Sequence, residues 1–204
     1  MKKARVNPRV LYLTELSVLL AIVLLMAFTP IGYIKTAGLE ITLITVPVIL
    51  GATLLDEKAG AFLGLAFGIT SYIQAATGLS AFGVMLFGMK PFATFLVCVP
   101  TRCLMGWLCG LIFKAFKKKN ALAFGVSGLS GALLNTLFFM ATLLAFFWKT
   151  DLIQGLATQL GSTNVFAFTV AFVGINGLVE AIACTVLAVA IAVPLQKGLH
   201  RLEA

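Results

Sequence analysis

Residues 89–117, MKPFATFLVCVPTRCLMGWLCGLIFKAFK, decide the fold. The run is apolar and carries a single charge near its middle, Arg102, with Lys90 at one end and Lys114 and Lys117 at the other. Arg102 is 12 residues from both Lys90 and Lys114. At 1.5 Å per residue that is about 18 Å of helix on either side. This depth lies near the middle of a hydrocarbon layer roughly 30 Å thick. A central arginine costs at least about 2.5–3.5 kcal/mol on insertion. An anionic partner, a water-filled cavity or a ligand has to compensate it, and the other spans have to build that environment.

The composition agrees with a membrane location. The chain is 61% hydrophobic and 11% charged, whereas soluble domains carry about 25% charged residues. The net charge of +8 does not indicate nucleic acid. The basic residues flank apolar runs and do not interleave with aromatics on a polar face. Cys98, Cys103, Cys109 and Cys184 all lie inside apolar spans without a C-x-x-C pair. They read as buried small hydrophobes, with no metal site or disulfide frame. The first apolar run follows a basic N-terminus and continues to Thr29 without a small-residue cleavage site, so it reads as a retained helix.

Working outward, six apolar segments give an all-α membrane protein, one six-helix integral domain over residues 1–204. The spans are about 10–29, 39–55, 59–77, 89–113, 121–148 and 165–194. Pro30, Gly32 and Gly38 break the chain after the first span, and Asp56-Glu57-Lys58 closes the second. The Gly-rich stretch 78–88 reads either as a buried loop or as the start of the fourth span. In 151–164, DLIQGLATQLGSTN, Leu152, Ile153, Leu156 and Leu160 recur at helical spacing among polar residues. That pattern predicts a short amphipathic helix at the membrane surface or over a pocket. With the N-terminus inside, the cytoplasmic side carries Lys2, Lys3, Arg5, Arg9, Lys58, Lys114, Lys117, Lys118, Lys119, Lys197 and Arg201. The outer side carries Lys35, Lys90 and Lys149. Both termini are therefore expected in the cytoplasm.

Other polar residues join Arg102 inside the membrane. In the sixth span Thr169, Val173, Asn176 and Glu180 fall on one helix face. Glu180 lies 17 residues before Lys197, about 26 Å along the axis. An intramembrane carboxylate points to function. Arg102 and Glu180 are either mutual counter-ions or lining groups of a ligand cavity, and the two roles can coexist. A proton relay is the third option. Asn135, beside Thr136 in the fifth span, makes either a helix–helix hydrogen bond or a ligand contact. Gln74, near the end of the third span with Thr70, Ser71 and Thr77, is a candidate at the rim. Small residues recur at four-residue spacing in Ser17-x3-Ala21, Gly60-x3-Gly64-x3-Gly68 and Gly106-x3-Gly110, which lets helices approach closely. Most of these predict internal packing. The pair on the first span predicts a contact to another membrane subunit.

No P-loop is present, so the chain does not itself hydrolyse ATP by that route. GVSG at 125–128 matches an intramembrane serine protease motif, but His200 is the one histidine and lies beyond the last span. No paired aspartates suit a metal-dependent transferase. The expectation is a non-enzyme without cofactor or metal.

Several stretches together resemble a known family. They are LEITLITVPVILGATLL and DEKAGAFLGLAFGITS, then PTRCLMGWLCGLIFK, LLNTLFF and NGLVEAIACTVLAVAIAVPLQKGL. The chain resembles the substrate-binding subunits (S components) of energy-coupling factor vitamin transporters, and is most similar to the pantothenate-type members. The resemblance implies a six-helix protein of the prokaryotic plasma membrane that binds a vitamin near the outer face. The loop between its first two helices would close over the ligand. A coupling membrane subunit and two ATPases would supply the energy. It also implies that Ser17 and Ala21 contact the coupling subunit, where the family usually has Ala-x3-Ala. Pantothenate carries a carboxylate, hydroxyls and an amide. Arg102 suits the carboxylate. Asn135, Asn176 and Gln74 suit the amide and hydroxyls, and Glu180 accepts from a hydroxyl or orients Arg102. A pyridine or pyrimidine vitamin stays open. So do a secondary transporter, although residues 1–100 and 101–204 show no convincing repeat, and a ligand-free assembly subunit.

Overall fold

Most of the helices start where a short polar side chain meets an apolar run. Asn7 accepts from the Arg9 N–H (3.0 Å), Asp56 from Ala59 (2.7 Å), Ser80 from Gly83 (3.2 Å), Asn120 from Ala123 (3.1 Å) and Asn164 from Ala167 (2.8 Å). These side-chain oxygens satisfy N–H groups that have no partner within the helix. A computed structural model of the chain describes residues 7–35, 40–116 and 120–203. Its helices are α1 (Pro8–Ala27), α2 (Thr45–Leu50), α3 (Glu57–Thr77), α4 (Ala81–Met89), α5 (Pro91–Lys114), α6 (Ala121–Phe147), α7 (Asp151–Gln159) and α8 (Val165–Glu203). Strands β1 (Tyr33–Lys35) and β2 (Glu40–Thr42) form a hairpin between α1 and α2. Lys2, Lys3, Arg5, Lys117, Lys118 and Lys119, used above to orient the chain, lie outside the described residues.

Five helices are long and apolar enough to cross a bilayer: α1, α3, α5, α6 and the Asn176–Gln196 part of α8. The segment expected as a helix over 39–55 starts later than expected. Glu40-Ile41-Thr42 alternates polar and apolar, a strand period, and pairs antiparallel with β1, Tyr33 opposite Thr42. The helix therefore begins at Thr45 and ends in a π-helical turn over Gly51–Leu55. Its eleven residues rise about 16 Å, roughly half the hydrocarbon thickness. Ile44 through Thr53 are all buried, and α3, α5, α6 and α8 all touch this helix. It is an inner helix enclosed by protein.

The stretch 78–88 is neither a loop nor part of the fourth span. It turns at Gly78, whose φ of 84° suits glycine, and then forms the separate helix α4. Pro91 opens α5 at the position where a missing N–H does no harm. The amphipathic helix expected after the fifth span is present as α7. It buries Ile153 and Ala157 against Leu86, Phe147 and Phe168.

The close contact of the bundle is between α3 and α5, and small residues set it. A Cβ added at Gly60 would stand 2.5 Å from the Gly106 carbonyl oxygen, one at Gly64 2.2 Å from that of Arg102, and one at Gly68 2.7 Å from that of Cys98. The helices thus run antiparallel with backbones nearly touching, as the four-residue spacing predicts. Gly128 plays the same part between α6 and α8, against Ala188 and the Cys184 carbonyl. The last helix is not one straight rod. Gly174 has φ 28° and ψ −121°, a conformation that side-chain-bearing residues rarely adopt. It divides α8 into an outer piece beside α7 and an inner piece along α6.

Candidate functional site

The antiparallel register of α3 and α5 fixes where Arg102 sits. Gly64 lets the Arg102 backbone lie directly on α3. The side chain then runs beside Phe67, with Cζ 4.8 Å from that ring and 5.8 Å from the ring of Phe139 on α6. Contacts of this kind favour a cation that has left water. One proline turn earlier, Pro100 withholds an N–H from the backbone ladder of α5. The guanidinium folds back over this turn, and Nη1 donates to the carbonyls of Val97 (2.9 Å) and Cys98 (3.1 Å). The side chain is only 9% exposed, yet its Nε–H has no hydrogen-bond partner.

Arg102 lines a cavity of about 610 Å³ bordered by α3, α4, α5, α6, α8 and Thr42 of β2. Small-molecule sites commonly measure about 300–1,000 Å³. Asn135, Asn176, Glu180 and Gln74 line the same cavity, so the five residues expected to bind substrate converge. Thr136 and Ser71 join them, while Tyr72 packs instead against Phe87 and Phe95. The face read along the sixth span is interrupted. Val173, Asn176 and Glu180 reach the cavity, but Thr169 does not and donates to the Val165 carbonyl at 2.9 Å. The turn at Gly174 falls between Val173 and Asn176.

Glu180 and Arg102 line the same cavity without a direct salt bridge. No ion pair joins them; the pair found among the described residues is Lys114 with Glu57, at 2.9 Å. The Glu180 carboxylate instead accepts from Asn135 Nδ2 (3.1 Å), the Thr42 N–H (3.4 Å) and Thr45 Oγ1 (3.5 Å). Gln74 donates its amide N–H to the carbonyl of Ala27, the last residue of α1. It thereby ties the cavity wall to the first helix. The carboxylate's partners Thr42 and Thr45, and the rings of Phe67 and Phe139, were not singled out from sequence. LEITLIT offers only its regularly placed threonines as a hint, and phenylalanines in apolar spans are unremarkable. Glu15, a second carboxylate inside an apolar helix, lies on α1 outside this cavity.

The described residues hold no cluster of metal-ligating side chains. Cys98, Cys109 and Cys184 are buried free thiols, and Cys103 is partly buried. On α1, Leu16, Leu20, Val23 and Ala27 pack inward. Ser17 and Ala21 face outward and line a shallow groove of about 450 Å³ with Val10, Leu13, Thr14 and Val18.

Comparison with known proteins places this architecture. The chain is 29% identical over 196 residues to the pantothenate transporter PanT of Leuconostoc mesenteroides subsp. mesenteroides, covering 91% of this chain and 92% of that protein. It is 29% identical over 166 residues to the pantothenic acid transporter PanT of Lactococcus lactis subsp. cremoris, covering 77% of this chain and 78% of that one. With its five long apolar helices, the chain is a multi-pass prokaryotic membrane protein. Residues 11–192 match the family of ECF transporter substrate-specific components, and the chain belongs to that family.

Proposed function

We propose that this chain is the vitamin-capturing subunit of an ATP-driven importer and that its vitamin is pantothenate. The whole chain acts as one integral membrane domain. A coupling membrane subunit and two ATPases supply the energy, and the vitamin leaves chemically unchanged. The names of the two relatives support the substrate.

The observation that carries this reading is the state of Arg102. A guanidinium beside two phenyl rings, with an unused N–H and no carboxylate in salt-bridge contact with it, borders a cavity of ligand size. In such surroundings an incoming carboxylate gains a charge-assisted hydrogen bond. Asn176 and the Gln74 carbonyl serve the amide of the vitamin. Glu180, braced by Asn135, accepts from a hydroxyl at the other end, since a carboxylate has about four acceptor positions. The hairpin end of the bundle faces outside, and Ser17 and Ala21 on α1 meet the coupling subunit.

The test is thermal unfolding of the purified protein with pantothenate, with its uncharged alcohol analogue, and with a panel of other vitamins. A ligand at 100 times its Kd adds about 2.7 kcal/mol of stability. A shift with pantothenate that falls sharply for the alcohol supports the reading. A shift with pyridoxine or a pyrimidine vitamin alone replaces the substrate, and a shift with none of them removes the assignment.

A further inference from the structure

Among the described residues, the hydrogen bonds that hold the Arg102 guanidinium leave from one nitrogen. Nη1 donates to the Val97 carbonyl (2.9 Å), to the Cys98 carbonyl (3.1 Å) and, at 3.5 Å, to Thr101 Oγ1. All of these acceptors belong to α5 itself, and the Nε–H has none. Bonds from a single nitrogen pin one corner of a planar group and leave the rest free to pivot about it. What limits the pivot is therefore not polar. It is the pair of rings beside Cζ, Phe67 at 4.8 Å and Phe139 at 5.8 Å. A guanidinium favours aromatic faces, the more so once it has left water.

The two rings differ in what surrounds them. Phe67 on α3 is fully buried and packs in one core cluster with Val23, Leu63 and Met105. Phe139 on α6 is only partly buried, packs against a second cluster that includes Leu86, Val97 and Met140, and lines the cavity. Its neighbour Phe138 packs on the cluster of Phe67. Arg102 thus touches both clusters, with one ring from the core and one from the cavity wall. Asn135 precedes Phe139 by one turn on the same face of α6 and donates to Glu180 at 3.1 Å. The helix α6 therefore sets an amide against the anion of the cavity and a ring against its cation.

We infer that Phe139 is a positioning residue for Arg102. Its ring keeps the guanidinium turned so that the unused Nε–H meets an incoming carboxylate, and so sets the preference for an acid over its uncharged relative. This rests on the cavity being the pantothenate site. It goes beyond that reading by giving the selectivity to a side chain without a polar atom. A ring that served only as wall would contribute equally to the acid and to the alcohol, because the two differ at the end that Arg102 takes. A ring that orients Arg102 contributes mainly to the acid.

The first experiment measures the affinity of the detergent-solubilised full chain for pantothenate and for its alcohol analogue. In Phe139→Leu the ratio of the two affinities should shift about tenfold against the acid, while Phe139→Tyr, which keeps an aromatic face, should stay within about twofold of wild type. Equal losses for both ligands in Phe139→Leu overturn the inference, and so does an unchanged ratio. If Phe139→Leu does not fold, Phe139→Met, another apolar side chain without a ring, is read in the same way. The second experiment needs no ligand. Phenylglyoxal attacks the terminal nitrogens of arginine, and mass spectrometry of the peptide carrying Arg102 follows its rate. Loss of the ring should make Arg102 react about tenfold faster in Phe139→Leu than in wild type, with Phe139→Tyr close to wild type. An unchanged rate overturns the inference. If wild type binds neither pantothenate nor the alcohol, the vitamin reading fails, and the labelling still decides whether Phe139 holds Arg102.

Discussion

Gly64 on α3 lies directly against the backbone carbonyl of Arg102 on α5, so close that a single added carbon would stand 2.2 Å from that oxygen. The buried cation of one helix is thus placed by the absence of a side chain on another. Gly64→Ala should force the helices apart and cost about 1–3 kcal/mol, the range for overpacking a close contact. Thermal unfolding measures this, and pantothenate affinity should fall with it. Gly155→Ala is the control. It lies in the helix interior of α7 with nothing within 4 Å of an added Cβ, and it should stabilise slightly. Equal behaviour of the two variants would show that the α3–α5 contact tolerates a wider spacing.

Arg102→Gln should weaken pantothenate binding by about 10- to 150-fold, the equivalent of about 1.5–3 kcal/mol for a hydrogen bond to a charged group. Binding of the uncharged alcohol analogue should change by only about fivefold, since an ordinary hydrogen bond contributes about 1 kcal/mol. Titration calorimetry on both ligands checks this. Equal losses for the two would mean that the substitution disturbs the fold.

Gly174→Ala tests the break in α8. No atom lies within 4 Å of an added Cβ, so any effect comes from the positive φ of 28°. The expected cost is about 1–2 kcal/mol in unfolding free energy, with weaker pantothenate binding because Asn176 and Glu180 follow the turn. A variant of wild-type stability and affinity would mean that the helix straightens without consequence for the site.

Ser17→Trp combined with Ala21→Trp should leave pantothenate binding in detergent intact, because both positions face away from the bundle. Uptake into proteoliposomes carrying the complete transporter should be lost. Loss of binding as well would place these residues in the packing of the subunit itself.

The polar residues that converge on the cavity were legible in the sequence, because an ionised or amide side chain in an apolar span has few places to go. Arg102, Asn135, Asn176, Glu180 and Gln74 announce themselves by contrast with their neighbours. Their pairing was not legible. Glu180 finds its partners in a backbone N–H and a threonine hydroxyl as well as Asn135, and a backbone donor has no signature in the residue that carries it. Five of the helices are long and apolar enough to cross a bilayer, and the helix expected from residue 39 begins at Thr45 because Glu40-Ile41-Thr42 pairs as a strand, which the apolar run after it hides. The glycines of α3 and α5 read correctly as packing, since their spacing repeats. Gly174 stands outside any such repeat, and only its backbone angles reveal it.

The shortness of α2 also bears on how the protein is made. A segment of eleven helical residues rises about 16 Å and leaves its ends unable to reach both headgroup layers at once. It has little reason to leave an insertion channel sideways on its own. The cap at Asp56 joins it to α3 through a tight turn, so the two are suited to enter the bilayer together as a helical hairpin. Its remaining walls, α5, α6 and α8, are synthesised later. A nascent chain halted shortly after Asp56 should therefore fail to retain this segment in the membrane, whereas one extended through Thr77 should hold it. Biogenesis would then proceed by sheltering a short helix step by step, with the last wall arriving only when α8 is complete.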